Sequence, residues 1–172
     1  MQTKDQRYYQ AYLSHQQISR RGLLRSMWHA VEKNDQPNKR TIARPPFAAK
    51  ESLFLTACTS CGECVTACSL GLISVANQKA VLDLSYTSCS FCGECAKHCP
   101  TNALHISFKA DTGLRPVFNA DCLLKQQQAC TSCQLSCPQQ AITPDLTIDD
   151  NRCNGCGECQ SACFMNAIRL GM

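Results

Sequence analysis

Residues 58–68 read Cys-Thr-Ser-Cys-Gly-Glu-Cys-Val-Thr-Ala-Cys, a C-x₂-C-x₂-C-x₃-C run built on Cys58, Cys61, Cys64 and Cys68. The same spacing returns at Cys89, Cys92, Cys95 and Cys99, and again at Cys153, Cys156, Cys159 and Cys163. A further set, Cys122, Cys130, Cys133 and Cys137, keeps the end of the pattern but opens its first gap to seven residues. The four quartets use all 16 cysteines of the 172-residue chain. They start 31, 33 and 31 residues apart, so the sequence is an internal repeat.

Thiolates at this spacing are the ligand pattern of bacterial two-cluster ferredoxins, where three cysteines hold one cubane and the fourth reaches across to the other. Four quartets therefore predict four [4Fe–4S] clusters. The expected ligand sets are Cys58, Cys61, Cys64 with Cys99, and Cys89, Cys92, Cys95 with Cys68. In the second half they are Cys122, Cys130, Cys133 with Cys163, and Cys153, Cys156, Cys159 with Cys137. A disulfide scaffold would need a secretory signal, yet Met1–Gln10 is polar and no run of seven apolar residues follows. Zinc sites seldom place three cysteines at successive two-residue gaps before a lone fourth. Pro100 and Pro138 follow their quartets as the ferredoxin motif prescribes, while Ser69 and Phe164 depart from it.

Each quartet is followed by a short apolar step: Leu72-Ile73, Ala103-Leu104, Ala141-Ile142 and Ala167-Ile168. Ahead of the last three lie Val81 with Leu84, Pro116-Val117-Phe118, and Leu146 with Ile148. The repeating unit reads as strand, cysteine loop, short helix, strand, with turns at Asn77, at residues 111–113 and at Pro144. The expected fold class is α+β: two tandem bacterial-ferredoxin-like (βαβ)₂ dicluster modules, residues 46–112 and 113–172, preceded by a basic, partly helical arm, residues 1–45. Glycine at 62, 93 and 157 would let the loop backbone approach a cluster at positive φ. The third quartet has Thr131-Ser132 where the others have Gly-Glu, and carries the extra residues 123–129. Its cluster is expected to be more exposed and more labile. Lobes this small have thin cores, so iron–thiolate bonds should supply much of the stability and the metal-free chain should be largely unfolded.

The first fifty residues differ in kind. They hold ten Lys or Arg against three acidic residues, a net charge of +7, whereas residues 51–172 sum to −3. Each oxidised cubane with four thiolates adds about −2, making the loaded body more acidic still. The arm therefore suits an acidic partner or the body itself. Ser19 could cap a helix with Leu23, Leu24, Met27, Trp28 and Val31 on one stripe and Arg21 and Arg25 opposite. Such a stripe either packs on the chain's own cluster modules or forms a docking helix for a partner; on the docking reading Arg20, Arg21, Arg25, Leu23, Leu24 and Trp28 are the candidate partner-binding residues. Pro45-Pro46 would stiffen the join to the modules. Residues 19–24 also look like a twin-arginine export signal. Arg25, His29, Glu32 and Lys33 interrupt any hydrophobic region there, so cytoplasmic residence is expected.

Several function classes fall away. With sixteen thiolates as ligands, no cysteine is left for nucleophilic catalysis, and His15, His29, His98 and His105 are scattered. No Gly-rich phosphate loop or flavin signature is present, so an enzyme is not expected. No segment approaches the ~18 uninterrupted apolar residues of a membrane span. Basic residues are not interleaved with a repeating aromatic platform, which argues against a nucleic-acid partner.

Beyond the quartets, Ser19-Arg20-Arg21-Gly22, Arg44-Pro45-Pro46, Glu51-Ser52-Leu53-Phe54-Leu55-Thr56 and the expanded third quartet resemble the NapF family. These are ferredoxin-type accessory proteins of bacterial periplasmic nitrate reductase systems. The resemblance spans nearly the whole chain. It implies a cytoplasmic iron–sulfur protein, expected to be a monomer, that binds the molybdenum-containing catalytic subunit NapA and assists its maturation before export. Arg20 and Arg21 then look like a pseudo-signal. The alternative is a polyferredoxin subunit wiring one large oxidoreductase to another.

Overall fold

The computed structural model describes residues 40–172, and these form one compact unit. The candidate partner-binding residues between Arg20 and Trp28 lie outside the described residues.

Helix α1 spans Glu51–Ala57 and buries Phe54, which is fully enclosed. The other helices are single turns inside the cysteine loops: α2 Glu63–Thr66, α3 Glu94–Lys97, α4 Ser132–Leu135 and α5 Glu158–Ser161. One turn cannot hold itself in water, so each depends on what surrounds it. Strands β1 (Ile73–Ala76) and β2 (Lys79–Leu82) form an antiparallel hairpin, with Ile73 opposite Leu82. Its two-residue turn has positive φ at both Asn77 and Gln78, the primed geometry that matches strand twist. Strands β3 (Arg115–Phe118) and β4 (Ile168–Gly171) pair antiparallel across the length of the second half.

Isolated bridges complete the repeat. Ala48 pairs with Leu104 in the first half as β3 pairs with β4 in the second, and Ile142 pairs with Ile148 where the first half has its hairpin. Every apolar step read from the sequence thus enters a strand or a bridge. The first core gathers Phe47, Phe54, Leu72, Ile73, Leu82, Leu84 and Leu104 around Cys64 and Cys95. The second is far smaller: Ile142 and Ile168 with Cys133 and Cys159. Half of its buried members are thiols.

Residues 40–46 do not behave as an arm and a stiff join. Pro45 and Pro46 are fully buried, and the Leu82 amide donates to the Ala43 carbonyl at 3.0 Å. Arg44 is only 4% exposed; it forms a close ion pair with Glu51 (2.7 Å), donates to the Ala80 carbonyl and stacks on the Phe54 ring at 4.9 Å. Arg40 donates to the carbonyls of Ala48 and Ala49. Two of the basic residues counted with the arm are therefore structural, because a guanidinium carries enough donors to satisfy backbone carbonyls where the chain enters the core.

Candidate functional site

Four cavities open in this scaffold, and cysteines from two loops wall each one. Site A is lined by Cys58, Cys61, Cys64 and Cys99. Site B is lined by Cys68, Cys89, Cys92 and Cys95. Site C is lined by Cys122, Cys130, Cys133 and Cys163, and site D by Cys137, Cys153, Cys156 and Cys159. These are the four sets named from the sequence. The cavities, open mouths included, measure about 350, 390, 350 and 320 Å³ in the order A to D. Their similarity suits one kind of occupant.

The grouping follows from local structure. Three cysteines of a quartet ride a loop and the single-turn helix that ends it, and the fourth leaves on the far side of that helix. Helix α2 packs on α3, and α4 on α5. The departing cysteine of each loop is thereby delivered to the neighbour's cavity. Gly62, Gly93 and Gly157 each precede a helix in the left-handed region, at φ of 84°, 81° and 89°. Thr131 takes that place in the third quartet at φ −127°, so this loop enters its helix along a different path.

None of the sixteen cysteines is in a disulfide. Burial pushes the Cys64 thiol up to about 11, with charge repulsion from the neighbouring Cys58, Cys61 and Cys99 adding to the effect. Burial likewise pushes Cys95 and Cys159 up to about 12, again aided by the other cysteines of their own sites. Thiols packed this way resist ionising unless a cation joins them, as ligand sets for cationic metal do. At Cys99 burial is outweighed by hydrogen bonds from Leu104, Thr101 and Ala103, and its thiol is lowered. The Leu104 amide donates to Cys99 Sγ at 3.4 Å, Ala141 to Cys137 Sγ at 3.4 Å, and Ala167 to Cys163 Sγ at 3.3 Å. Amide donors to ligand sulfur are a recognised lever on cluster potential.

Among the described residues, no three His, Cys, Asp or Glu side chains are close enough together to hold a single metal ion. The thiols stand apart, around a space, in fours. That donor set fits a polynuclear iron–sulfur group, whose iron atoms each take one thiolate.

Site C corrects one expectation from the sequence. Its cysteines are not more exposed: Cys122 and Cys133 are buried, whereas the exposed cysteines are Cys61 of site A and Cys92 of site B. Residues 123–129 fold back as turns, with the Gln126 amide on the Cys122 carbonyl and Gln128 on Leu123, and Lys125 is anchored on the Phe118 carbonyl. Leu123 and Leu124 then line the cavity beside Phe164 and Met165. The inserted residues cover the site instead of opening it.

Sequence reasoning missed the residues that join the two halves. Thr112 is fully buried; its hydroxyl donates to the Gly155 carbonyl at 2.8 Å, and its amide to the Asn154 carbonyl at 3.1 Å. Ser88 donates to the Glu158 carboxylate. No local spacing signals such contacts.

The fold and donor sets define a dicluster-type iron–sulfur protein. The 4Fe–4S dicluster domain matches residues 57–103, and the 4Fe–4S binding domain matches residues 146–169; the expanded third quartet lies between them. An uncharacterized protein of Haemophilus influenzae is 55% identical over 167 residues, covering 97% of this chain and 99% of that one. The ferredoxin-type protein NapF of Escherichia coli is 32% identical over 159 residues, 87% of this chain and 92% of its own. NapF of Haemophilus influenzae is 30% identical over 171 residues, 89% and 93% of the two chains. The chain belongs to the ferredoxin-type 4Fe–4S protein family, and ferredoxin-type proteins are electron-transfer carriers. Among the described residues no helix is long and apolar enough to cross a membrane.

Proposed function

We propose that sites A to D hold four [4Fe–4S] clusters through the cysteine sets that line them, and that the chain carries electrons to a larger redox enzyme on which it docks. The observation that carries this reading is the arrangement of sixteen thiols as four quartets around four cavities of similar size. A bound [4Fe–4S] group supplies one-electron redox chemistry. The chain supplies the thiolates, the amides that donate to sulfur, and the apolar walls formed by residues such as Phe54, Leu72 and Ile168, which limit water around each site. Residues 46–112 and 113–172 are then two dicluster modules in tandem. Anaerobic purification should return about sixteen iron and sixteen sulfide per chain. Zinc in their place would overturn the proposal.

The finer reading makes the enzyme NapA, with the chain acting in the cytoplasm, as a monomer, to assist NapA maturation before export. The similarity to NapF of Escherichia coli over most of both chains supports it. The basic arm, with Arg20, Arg21, Arg25, Leu23, Leu24 and Trp28, would be the docking element. A second reading is favoured by a specific observation. Haemophilus influenzae has both a NapF, 30% identical to this chain, and a separate protein that is 55% identical. This chain sides with the latter, which supports an electron-transfer role toward a different oxidoreductase. Titrating the purified holoprotein with NapA precursor decides between them. Tight binding that is lost on deleting residues 1–39, with iron content unchanged, supports the NapA reading. No binding sinks it and leaves the electron carrier. The deletion stops at residue 39 because Arg40 and Arg44 belong to the folded body.

A further inference from the structure

The two halves meet where the loop of site B faces the loop of site D. The Cys89 amide donates to the Cys156 carbonyl at 2.8 Å. Both residues are cavity-lining cysteines, one in each half. Around this bond the contact is locked. Thr112, fully buried, donates to Gly155 and accepts from the Leu114 amide at 3.2 Å. A Cβ on Gly155 would stand 2.2 Å from the Thr112 hydroxyl and 2.5 Å from the Leu114 carbonyl. One on Gly157 would meet Leu84 at 3.2 Å and Leu170 at 3.4 Å. Nothing larger than hydrogen fits at Gly155, and at Gly157 a side chain would have to give; because Thr112 and Leu84 belong to the first half, the loop of site D lies directly against it.

Resting on the four-cluster reading, we propose that the Cys89–Cys156 hydrogen bond is the electron crossing between the halves, which sets the sites in one line in the order A, B, D, C. Within the first half, Cys64 of site A and Cys95 of site B are both buried in helices that pack on each other. Within the second, Cys133 of site C and Cys159 of site D share one small core. Between the halves, two ligand residues are separated by a single hydrogen bond. Electron tunnelling weakens exponentially with the gap and is faster through bonds and hydrogen bonds than through open space. With clusters held at sites B and D, the step would be a one-electron exchange in which one is oxidised as the other is reduced, with no bond made or broken. Thr112 is a positioning residue for this crossing: it fixes the distance and touches no reacting atom. The competing picture is two independent two-cluster carriers that happen to share a chain.

Paramagnetic coupling separates these pictures. In one variant, Cys61→Ala with Cys130→Ala disables sites A and C and leaves B and D. In the other, Cys92→Ala with Cys153→Ala leaves A and C. Iron and sulfide are quantified first; failure of the unaltered protein to load four clusters defeats the parent reading and not this one. After dithionite reduction, low-temperature electron paramagnetic resonance of the B/D variant should show dipolar splitting and fast relaxation. The A/C variant should give two isolated signals. Two isolated signals from the B/D variant at half the iron content would overturn the proposal. Should either variant fail to fold, the fully reduced unaltered holoprotein decides. Its spectrum should require an interaction across the halves, weakened in Thr112→Val at unchanged iron content. A spectrum reproduced by two independent pairs, the same in both proteins, would overturn it.

Discussion

Arg44 shows how one side chain can carry several duties in a thin core. It pairs with Glu51, donates to the Ala80 carbonyl and covers the Phe54 ring. Removing it strands a carboxylate that is itself only 9% exposed, although Arg40 remains 3.6 Å from Glu51. Arg44→Ala should therefore cost about 3 kcal/mol, the low end for a broken buried pair. Arg44→Met combined with Glu51→Gln should recover most of that. Thermal loss of the visible iron–sulfur absorbance checks both. Asp111 offers a pH test. Burial alone would raise its carboxyl, but hydrogen bonds from Arg115, the Gly113 amide and Lys109 prevail and hold it at about 2, against an ordinary 3.8. A folded-state value below the unfolded one means the stabilisation is complete above about pH 4 and disappears as pH falls toward 2. After allowance for solvent screening it amounts to about 1–2 kcal/mol. The stability gap between the native protein and Asp111→Asn should be constant above pH 5 and close below pH 4. A gap unchanged at pH 3 would contradict this.

At the scale of elements, the hairpin β1–β2 guards site A. Ser60 donates to the Gln78 carbonyl, and Lys79 reaches the Cys58 carbonyl at 2.6 Å, so the turn braces the cysteine loop. Gln78 sits at φ 57°, where a side chain is strained and glycine is at home. Gln78→Gly should gain about 0.5–1 kcal/mol net of the entropy glycine loses. Chelator-driven iron release from site A should slow by roughly two- to five-fold. Elements were legible in the sequence to the extent that their causes are local. Cysteine spacing, the glycines ahead of three helices and the apolar steps after each quartet all act over a few residues. The segment 123–129 misled, because whether an insert uncovers or covers a site depends on where its leucines land. Arg44 and Pro45-Pro46 misled likewise: charge and proline look like a linker until the chain is seen to enter the core there.

For the whole molecule, stability leans on the sites. Beside its thiols the second core buries only Ile142 and Ile168, while the first buries Phe54, Leu72, Ile73, Leu82 and Leu104 among others. Stripping iron under reducing conditions should therefore melt residues 113–172 first and more completely. Amide dispersion by magnetic resonance should collapse in that half before the other. Retention of ordered β3–β4 amides in the iron-free protein would contradict it. The junction through Ser88, Thr112 and Gly155 is the part of the molecule that no sequence pattern announced. Its partners lie 42–70 residues apart, a separation at which only the folded chain brings them together.

The sharing of each cavity between two loops also sets a schedule for biosynthesis. Cys58 and Cys99 wall the same cavity, as do Cys122 and Cys163, and both intervals are 41 residues. At ordinary translation speeds the earlier thiol waits about 2–8 s for its counterpart to be made. During that wait the nascent chain presents reactive sulfur with no closed cage around it. Metal delivery must then be timed to the emergence of a whole half from the ribosome, and oxygen met before that moment would find the thiols undefended.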